Sequence, residues 1–386
     1  MSSAAARQVV RAPVSLLIFP DEILEEIFLR LDAAADVARA SAACTTFRRV
    51  VSARRFRRRL RTLHPPPILG FLETHAPGAF HPAEPPHGSA PAARALAQAA
   101  DFTFSFIDAP GTWKACDARD GRVLLYARPN AAASADLIVC DPLHRRREIR
   151  GFDAFLDPAT DKDEKESFRV ICAVQCRLSR LKLVTFHFSS VTGKWRLVTF
   201  DGKKPLNDLI SRCAGMYTRR YAHGCFYWTY PRFESLVILD PREMKLSVVN
   251  HSPNYKVRAI VEQGAQAIVE LVNGSLGFVS LVDDDTLELY SKTLRNNAVD
   301  TEVWQYDKRI PLPKMDMPCR CWSIKDAADG CLLLQATQWV SHRREFHYFT
   351  LDLETFLFKK LCMSSRNISY AQLYASFPPP LSLPKP

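Results

Sequence analysis

The chain has 386 residues, of which 47% are hydrophobic, so it is long enough to form more than one folded domain. No apolar run approaches the ~20 residues that a membrane-spanning helix needs, so no transmembrane helix is predicted. The net charge is +11, and the 11 cysteines are scattered through apolar runs, which is typical of reduced, buried thiols in a cytoplasmic or nuclear protein.

A small helical module is predicted over residues 15–63. Pro20 suits the first turn of a helix, acidic residues follow it at once, and apolar residues then recur at helical spacing. Asp36 can cap a second helix that runs to Val51, and a third helix covers residues 53–63. Because three helices this short cannot bury all their apolar faces against one another, the surplus must be covered by the rest of the chain or by a partner.

This segment resembles the F-box. The residues that carry the resemblance are Phe19-Pro20-Asp21-Glu22-Ile23-Leu24, Ile27-Phe28, Leu31, Val37, Cys44 and Phe47. The segment departs from the family pattern at Phe19, where leucine is usual, at Phe47, where tryptophan is commoner, and at Thr45-Thr46, where a basic residue is often seen. The resemblance implies docking onto the Skp-type adaptor of a cullin–RING ubiquitin ligase. The adaptor-binding residues that it implies are Phe19, Pro20, Ile23, Leu24, Ile27, Phe28, Leu31, Val37, Cys44 and Phe47.

A basic run lies within the same module, with eight arginines and no acid between Arg48 and Arg61. Such a run is typical of a nuclear import signal or a nucleic-acid patch, or of the solvated side of a helix whose other side carries Phe56, Leu60 and Leu63. We favour the solvated helix face, because neither stacking aromatics nor a nucleic-acid fold motif accompanies the arginines. A role in nuclear import can coexist with it.

The segments on either side of the main domains differ in composition. Residues 1–14 are predicted to be disordered, and no secretory signal is predicted there, although a transit peptide stays open. Residues 64–100 contain eight prolines and are predicted to form an irregular connector. Residues 379–386 form a proline-rich tail.

Residues 101–378 carry an internal repeat of short strands and turns. The motif Trp113-Lys-Ala-Cys-Asp117 recurs as Trp322-Ser-Ile-Lys-Asp326, 209 residues later, and an apolar strand follows each copy. A second marker is an apolar strand that ends in Asp or Ser before a turn. It recurs about every fifty residues, at Asp141, Ser189, Asp240, Ser291 and Asp352. A period of about fifty residues built from strands and turns predicts a β-propeller with one four-stranded blade per unit.

The predicted fold class is therefore multidomain, α + all-β, with a three-helix F-box module followed by a propeller of about six blades. Five or seven blades stay open, and the alternative is an irregular pair of β-sandwiches. Strand-like pieces within residues 65–109 and 366–378 would form the sixth blade from the two ends of the chain. This half resembles the F-box-associated propeller of plant proteins, especially of large grass families, through its motifs at residues 117–125, 139–146 and 192–195.

No catalytic residue, metal site or cofactor is predicted. Cys172 with Cys176, and Cys319 with Cys321, have the wrong spacing for common zinc sites. Asp283-Asp284-Asp285 lacks the glycine and glutamate that follow in a calcium loop. A propeller hydrolase would need carboxylates in the central channel, and the sequence alone places none there.

The predicted substrate-binding residues are Trp339, His342, Arg343 and Arg344. They lie in an excursion that lengthens one repeat unit, and aromatic and arginine side chains commonly anchor protein interfaces. The predicted function is the substrate-recognition subunit of an SCF-type ubiquitin ligase, which binds a Skp-type adaptor, through it a cullin, and an unknown protein substrate. The alternative is a stand-alone interaction scaffold whose degenerate F-box packs on its own propeller. Neither a membrane nor a nucleic acid is an expected partner.

Overall fold

The computed structural model describes the following residues: 19–31, 34–64, 66–74, 79–107, 113–119, 121–127, 136–148, 154–157, 169–175, 182–189, 194–201, 219–229, 235–250, 265–283, 285–292, 304–315, 319–328, 330–340 and 343–376. They form two compact units, the first ending at Pro66 and the second spanning Pro67–Ser376. Within the residues just given, no helix combines the length and the apolar character needed to cross a bilayer.

Four short helices form the first unit: α1 Asp21–Leu29, α2 Ala34–Ala43, α3 Thr45–Ser52 and α4 Arg54–Leu63. The expectation of three helices is therefore wrong, because the second predicted helix is broken at Cys44. This residue is extended, with φ −159° and ψ 166°, and its Sγ accepts the Phe47 N–H at 3.4 Å, which caps α3. The apolar stripe from Val37 to Val51 continues across the break, so helical spacing does not reveal it. Asp36, expected as a cap, lies in the first turn of α2.

The helical module has a hydrophobic core of its own. The ring of Phe28 on α1 packs edge-to-face against Phe47 and Phe56, with centroid distances of 5.1 and 6.5 Å. The buried core residues are Leu24, Phe28, Leu29, Val37, Val50, Val51, Phe56 and Leu60. All four helices contribute to this set, so side-chain packing holds together helices that would be unstable alone.

Ion pairs connect the acidic helix α1 to part of the arginine run. Arg49 on α3 pairs with Asp21, and Arg59 on α4 donates to Glu25 at 2.9 Å and to Glu26 at 2.5 Å. The hydrogen bond from Arg59 lowers the pKa of Glu26 below its ordinary value. Arg49 and Arg59 of the basic run therefore form ion pairs within the module.

In the second unit, the described residues contain one helix and 23 strands. In chain order, these are β1 Ile68–Glu73, β2 Phe80–Pro82, α5 Ala90–Ala99, β3 Lys114–Arg119, β4 Arg122–Ala127, β5 Asp136–Asp141, β6 Arg146–Glu148, β7 Ala154–Asp157, β8 Arg169–Gln175, β9 Lys182–Ser189, β10 Lys194–Asp201, β11 Arg219–Ala222, β12 Cys225–Thr229, β13 Ser235–Asp240, β14 Lys245–Asn250, β15 Gln266–Glu270, β16 Leu276–Asp283, β17 Thr286–Lys292, β18 Gln305–Pro311, β19 Cys319–Ala328, β20 Cys331–Val340, β21 Arg343–Asp352, β22 Phe358–Ser364 and β23 Ala371–Ala375.

These strands form a β-propeller of five blades, each an antiparallel sheet of four consecutive strands: β3–β6, β7–β10, β11–β14, β15–β18 and β19–β22. Contacts join the first strands of neighbouring blades, β3 with β7, β11 with β15 and β15 with β19, so we refer to the first strands as the inner strands. The prediction of a propeller is confirmed. A pair of β-sandwiches is excluded by this arrangement.

The two ends of the propeller chain meet in a further sheet, ordered β2-β1-β23. Strand β1 pairs antiparallel with β23, from Ile68 opposite Ala375 to Glu73 opposite Ala371. Because this sheet has three strands, the expectation of about six four-stranded blades is not confirmed. The pairing of the two chain ends is nevertheless the one that the sequence analysis expects.

The connector over residues 64–100 is not irregular throughout, which corrects the sequence-based expectation. It contains β1, β2 and α5. Its prolines are compatible with these elements because Pro82 ends β2 and Pro91 lies in the first turn of α5, where no N–H donor is needed. The proline count therefore marks the ends of short elements in this segment rather than their absence.

The turn residues that define the repeat have the predicted roles. Gly121 and Gly274 have φ of 75° and 74°, a region that favours glycine and is required by these hairpin turns. Asp141, Asp240 and Asp352 each accept backbone N–H groups from the residues two and three positions ahead, which closes the turn after the third strand of a blade.

The two copies of the tryptophan motif place buried aspartates at equivalent positions. Asp117 and Asp326 each follow a β-bulge in an inner strand. Asp117 accepts the Leu156 N–H of β7 at 2.7 Å, and Asp326 accepts the Leu373 N–H of β23 at the same distance. The side-chain amide of Gln372 also donates to Asp117 at 3.0 Å. Each aspartate thus joins its own sheet to its neighbours.

We expect Asp117→Ala to lower the free energy of unfolding of the propeller by about 3 kcal/mol. The substitution removes the acceptor of a buried backbone N–H on β7 and of the Gln372 amide. Urea unfolding followed by tryptophan fluorescence measures the change. Asp285→Ala is the matched control, because the carboxylate of Asp285 is exposed and accepts the Thr286 hydroxyl. Equal stability of both variants would contradict the structural role of Asp117.

We also expect the propeller to lose stability as the pH falls below about 6.5, the ordinary pKa of histidine. Burial, which includes the Phe71 ring stacked on His81 at 4.7 Å, and the positive charge of Arg366 together lower the pKa of His81 to about 4. Glu73 lies 3.8 Å from His81 but is already paired with Arg366 at 2.6 Å, so it does not restore the pKa.

His81 binds protons differently in the folded and the unfolded chain, and this difference sets the direction in which stability changes with pH. Between about pH 6.5 and pH 4 the unfolded chain takes up a proton at His81 and the folded chain does not, so acid favours unfolding. His81→Gln should therefore reduce the difference in unfolding free energy between about pH 7 and pH 5 by on the order of 1 kcal/mol. An unchanged difference would show that this histidine is not buried in its neutral form. Burial also lowers the pKa of His87 and His347, so part of the pH dependence should persist.

Candidate protein-docking sites

The structure divides the ten predicted adaptor-binding residues between the core of the module and its surface. Leu24, Phe28 and Val37 are buried in the module core. The side chains of Pro20 and Ile23 are exposed. Those of Phe19, Ile27, Leu31, Cys44 and Phe47 are partly exposed. Three residues of the predicted set are therefore buried, and seven are at least partly exposed. Of these seven, Phe19, Ile27, Leu31 and Phe47 also pack against the module core.

An apolar strip of exposed and partly exposed residues lies along α1 next to its buried residues. Ile23 and Ile27 are one helical turn apart and therefore share a face, and Pro20 precedes Ile23 by three positions. We call these three residues the outer face of α1. Ile23 is 45% exposed, although the buried Leu24 beside it shows that α1 has an interior face as well. Ile23 is thus more exposed than the fully buried Leu24, and its side chain can be reached by another protein.

The inner strands of the propeller bring together charged groups that the sequence analysis did not place there. Arg219 on β11 pairs with Asp117 at 2.9 Å, and the adjacent Arg220 lies 3.4 Å from Asp326 and donates to the Lys325 carbonyl at 3.2 Å. Burial lowers the pKa of the Arg220 guanidinium and also that of Lys325, the latter to about 8.

These two carboxylates are each engaged by an arginine and by a backbone N–H of the neighbouring sheet. Their chemistry is therefore that of structural ion pairs between strands. The signal that could have found them is present in the sequence, since Asp117 and Asp326 occupy the same position in the repeated tryptophan motif. The arginine partners carry no such signal, because they come from a distant strand.

The predicted substrate-binding excursion is a regular hairpin rather than a loop. Strands β20 and β21 have ten residues each, and their last described pair is Val340 opposite Arg343. Trp339 is 39% exposed, and the guanidinium of Arg344 lies over its ring at 4.9 Å from the centroid. Arg343 is exposed, and His342 lies outside the described residues. The structure thus brings Trp339 and Arg344 into direct contact.

Among the described residues, no group of three or more His, Cys, Asp and Glu side chains is arranged to hold a metal ion. Cys319 and Cys321 lie on β19, Cys172 lies on β8, and Cys176 is outside the described residues.

Comparison with known proteins identifies the helical module. Residues 16–62 match the F-box-like family model. No curated protein sequence matches the chain.

Among solved structures, TolB from Acinetobacter baumannii is similar with a TM-score of 0.33 and 9% identity, over 67% of this chain and 55% of that one. A puromycin-hydrolysing peptidase from Mycobacterium tuberculosis is similar with a TM-score of 0.33 and 9% identity, over 65% of this chain and 38% of that one. The match thus spans about half or less of those proteins. The chain contains an F-box-like domain at residues 16–62 and, after it, a β-propeller.

Proposed function

We propose that this protein is the substrate-recognition subunit of an SCF-type cullin–RING ubiquitin ligase. The F-box-like domain would bind a Skp-type adaptor and, through it, a cullin. The observation that carries the proposal is the outer face of α1, where Ile23 is 45% exposed within the segment that matches the F-box-like model. F-box domains generally bind Skp-type adaptors, and an exposed apolar strip on a folded module suits such a contact.

In this role the chain performs no bond chemistry and needs no cofactor. It holds a target protein near a ubiquitin-loaded enzyme and so converts a bimolecular transfer into a tethered one. The proposed consequence is ubiquitin-dependent degradation of the target in the cytoplasm or nucleus. The resemblance of the second half to the F-box-associated propellers of plant proteins belongs to the same proposal.

The propeller would present the substrate-binding surface. The proposed contact residues are those of the β20–β21 hairpin, Trp339, His342, Arg343 and Arg344. Support comes from the exposure of Trp339 and from the two exposed arginines beside it, since tryptophan and arginine are enriched among residues that anchor protein interfaces.

Ile23→Asp should weaken adaptor binding by at least about tenfold, because it places a charge in an apolar contact. The measurement is co-purification of the full chain with a Skp-type adaptor, followed by titration of the purified partners. Ile23 is a better test than Leu24, because Leu24 is fully buried and Leu24→Asp would unfold the module.

Val272→Asp is the matched control, since Val272 is an apolar residue that is 69% exposed in the propeller. It should leave adaptor binding unchanged. Unaltered helical circular dichroism of Ile23→Asp would show that the module stays folded. If the folded Ile23→Asp variant bound the adaptor as well as the wild type, the docking assignment would be wrong and the stand-alone scaffold would be favoured.

A further inference from the structure

Among the described residues, the end of the β20–β21 hairpin extends past the paired parts of both neighbouring strands. On one side, the pairing of β19 with β20 reaches Gln338, which lies opposite Cys319. On the other side, the pairing of β22 with β21 reaches Phe346, which lies opposite Ser364. Trp339, Val340, Arg343 and Arg344 lie beyond these limits, and we call them the hairpin tip. Within the described part of this blade, the tip is therefore a two-stranded ribbon with no strand on either side.

The hairpin tip combines an apolar ring with positive charge. The guanidinium of Arg344 lies over the Trp339 ring at 4.9 Å from its centroid, a cation–π contact that favours this arrangement of the two side chains. Among the described residues, neither Arg343 nor Arg344 has a carboxylate within ion-pair distance. The nearest acid in sequence, Glu345, lies 3.6 Å from His347. This contrasts with the helical module, where arginines such as Arg59 are already paired.

We propose that the hairpin tip binds an acidic segment of a partner protein. Carboxylates of the partner would pair with Arg343 and Arg344, and an apolar side chain next to them would cover the exposed face of Trp339. This inference deepens the proposed function, because the acidic segment would belong to the substrate of the ligase. Since Arg344 is already held against the Trp339 ring, little side-chain freedom would be lost on binding.

A protein segment is favoured over a nucleic acid because the tip is narrow. Stable binding of a nucleic acid through its backbone usually requires several phosphate contacts spread along a basic surface. The described tip offers two arginines at the end of a ribbon, with Glu345 directly after them. A short acidic stretch with one apolar side chain matches this size and charge.

The test is selection of peptides from a random dodecapeptide library on the immobilised full chain. Recovered peptides should carry net negative charge and at least one large apolar residue. Fluorescein-labelled copies should bind at least about tenfold more weakly to Arg343→Glu/Arg344→Glu than to the wild type, and binding should weaken as salt is raised. Trp339→Ala should also weaken binding of these labelled peptides.

Arg242→Glu/Lys245→Glu is the matched control, because both residues are exposed in the propeller and the net charge changes by the same amount. This variant should bind the selected peptides as the wild type does. The proposal is overturned if no peptide is recovered, if the recovered peptides are neutral or basic, if both double variants lose binding equally, or if a labelled oligouridylate binds the tip and acidic peptides do not.

Failure of peptide binding at the hairpin tip can be distinguished from failure of adaptor binding by the F-box-like domain. The hairpin variants should bind a Skp-type adaptor as the wild type does, and Ile23→Asp should still bind the selected peptides. Loss of adaptor binding alone would therefore leave the hairpin assignment intact, and loss of peptide binding alone would leave the docking assignment intact.

Discussion

The propeller depends on how the last strand of the chain, β23, is held. This strand pairs with β1 from the start of the unit, has no further paired strand among the described residues, and is held by buried aspartates of two neighbouring sheets. The Leu373 N–H donates to Asp326, and the Gln372 amide donates to Asp117. The two ends of the unit therefore meet at β23, which these bonds tie to the first and last of the five blades.

The helical module is stabilised differently, by a core that its four helices share. Its four helices are too short to be stable alone, and they bury a common core that includes Leu24, Phe28 and Phe56. Arginines from α3 and α4 pair with the acids of α1, so the charge of the basic run also serves to position that helix. With the buried side of α1 packed in this way, Pro20 and Ile23 remain exposed. In the proposed function, these exposed residues would form the contact with the adaptor.

Local signals in the sequence account for most of what was correctly predicted. The turns at Gly121 and Asp141 depend on residues a few positions apart, and their recurrence is sufficient to predict the propeller. The break at Cys44 was missed because a helical pattern continues through it and the cap is a weak interaction of one thiol. The pairing of Arg219 with Asp117 joins distant strands, and no periodicity relates the two residues. The number of strands in the sheet β2-β1-β23 is not predicted for a similar reason. This sheet forms through contacts between the two ends of the propeller unit, which are distant in the sequence.

The most direct test of the docking surface is amide hydrogen exchange of the full chain with and without a purified Skp-type adaptor. If the outer face of α1 is the contact, exchange in the peptide that contains Asp21–Leu29 should slow when the adaptor is added. Exchange in β19–β22, which include the hairpin, should stay the same. Unchanged exchange in α1, or protection confined to the propeller, would contradict the account.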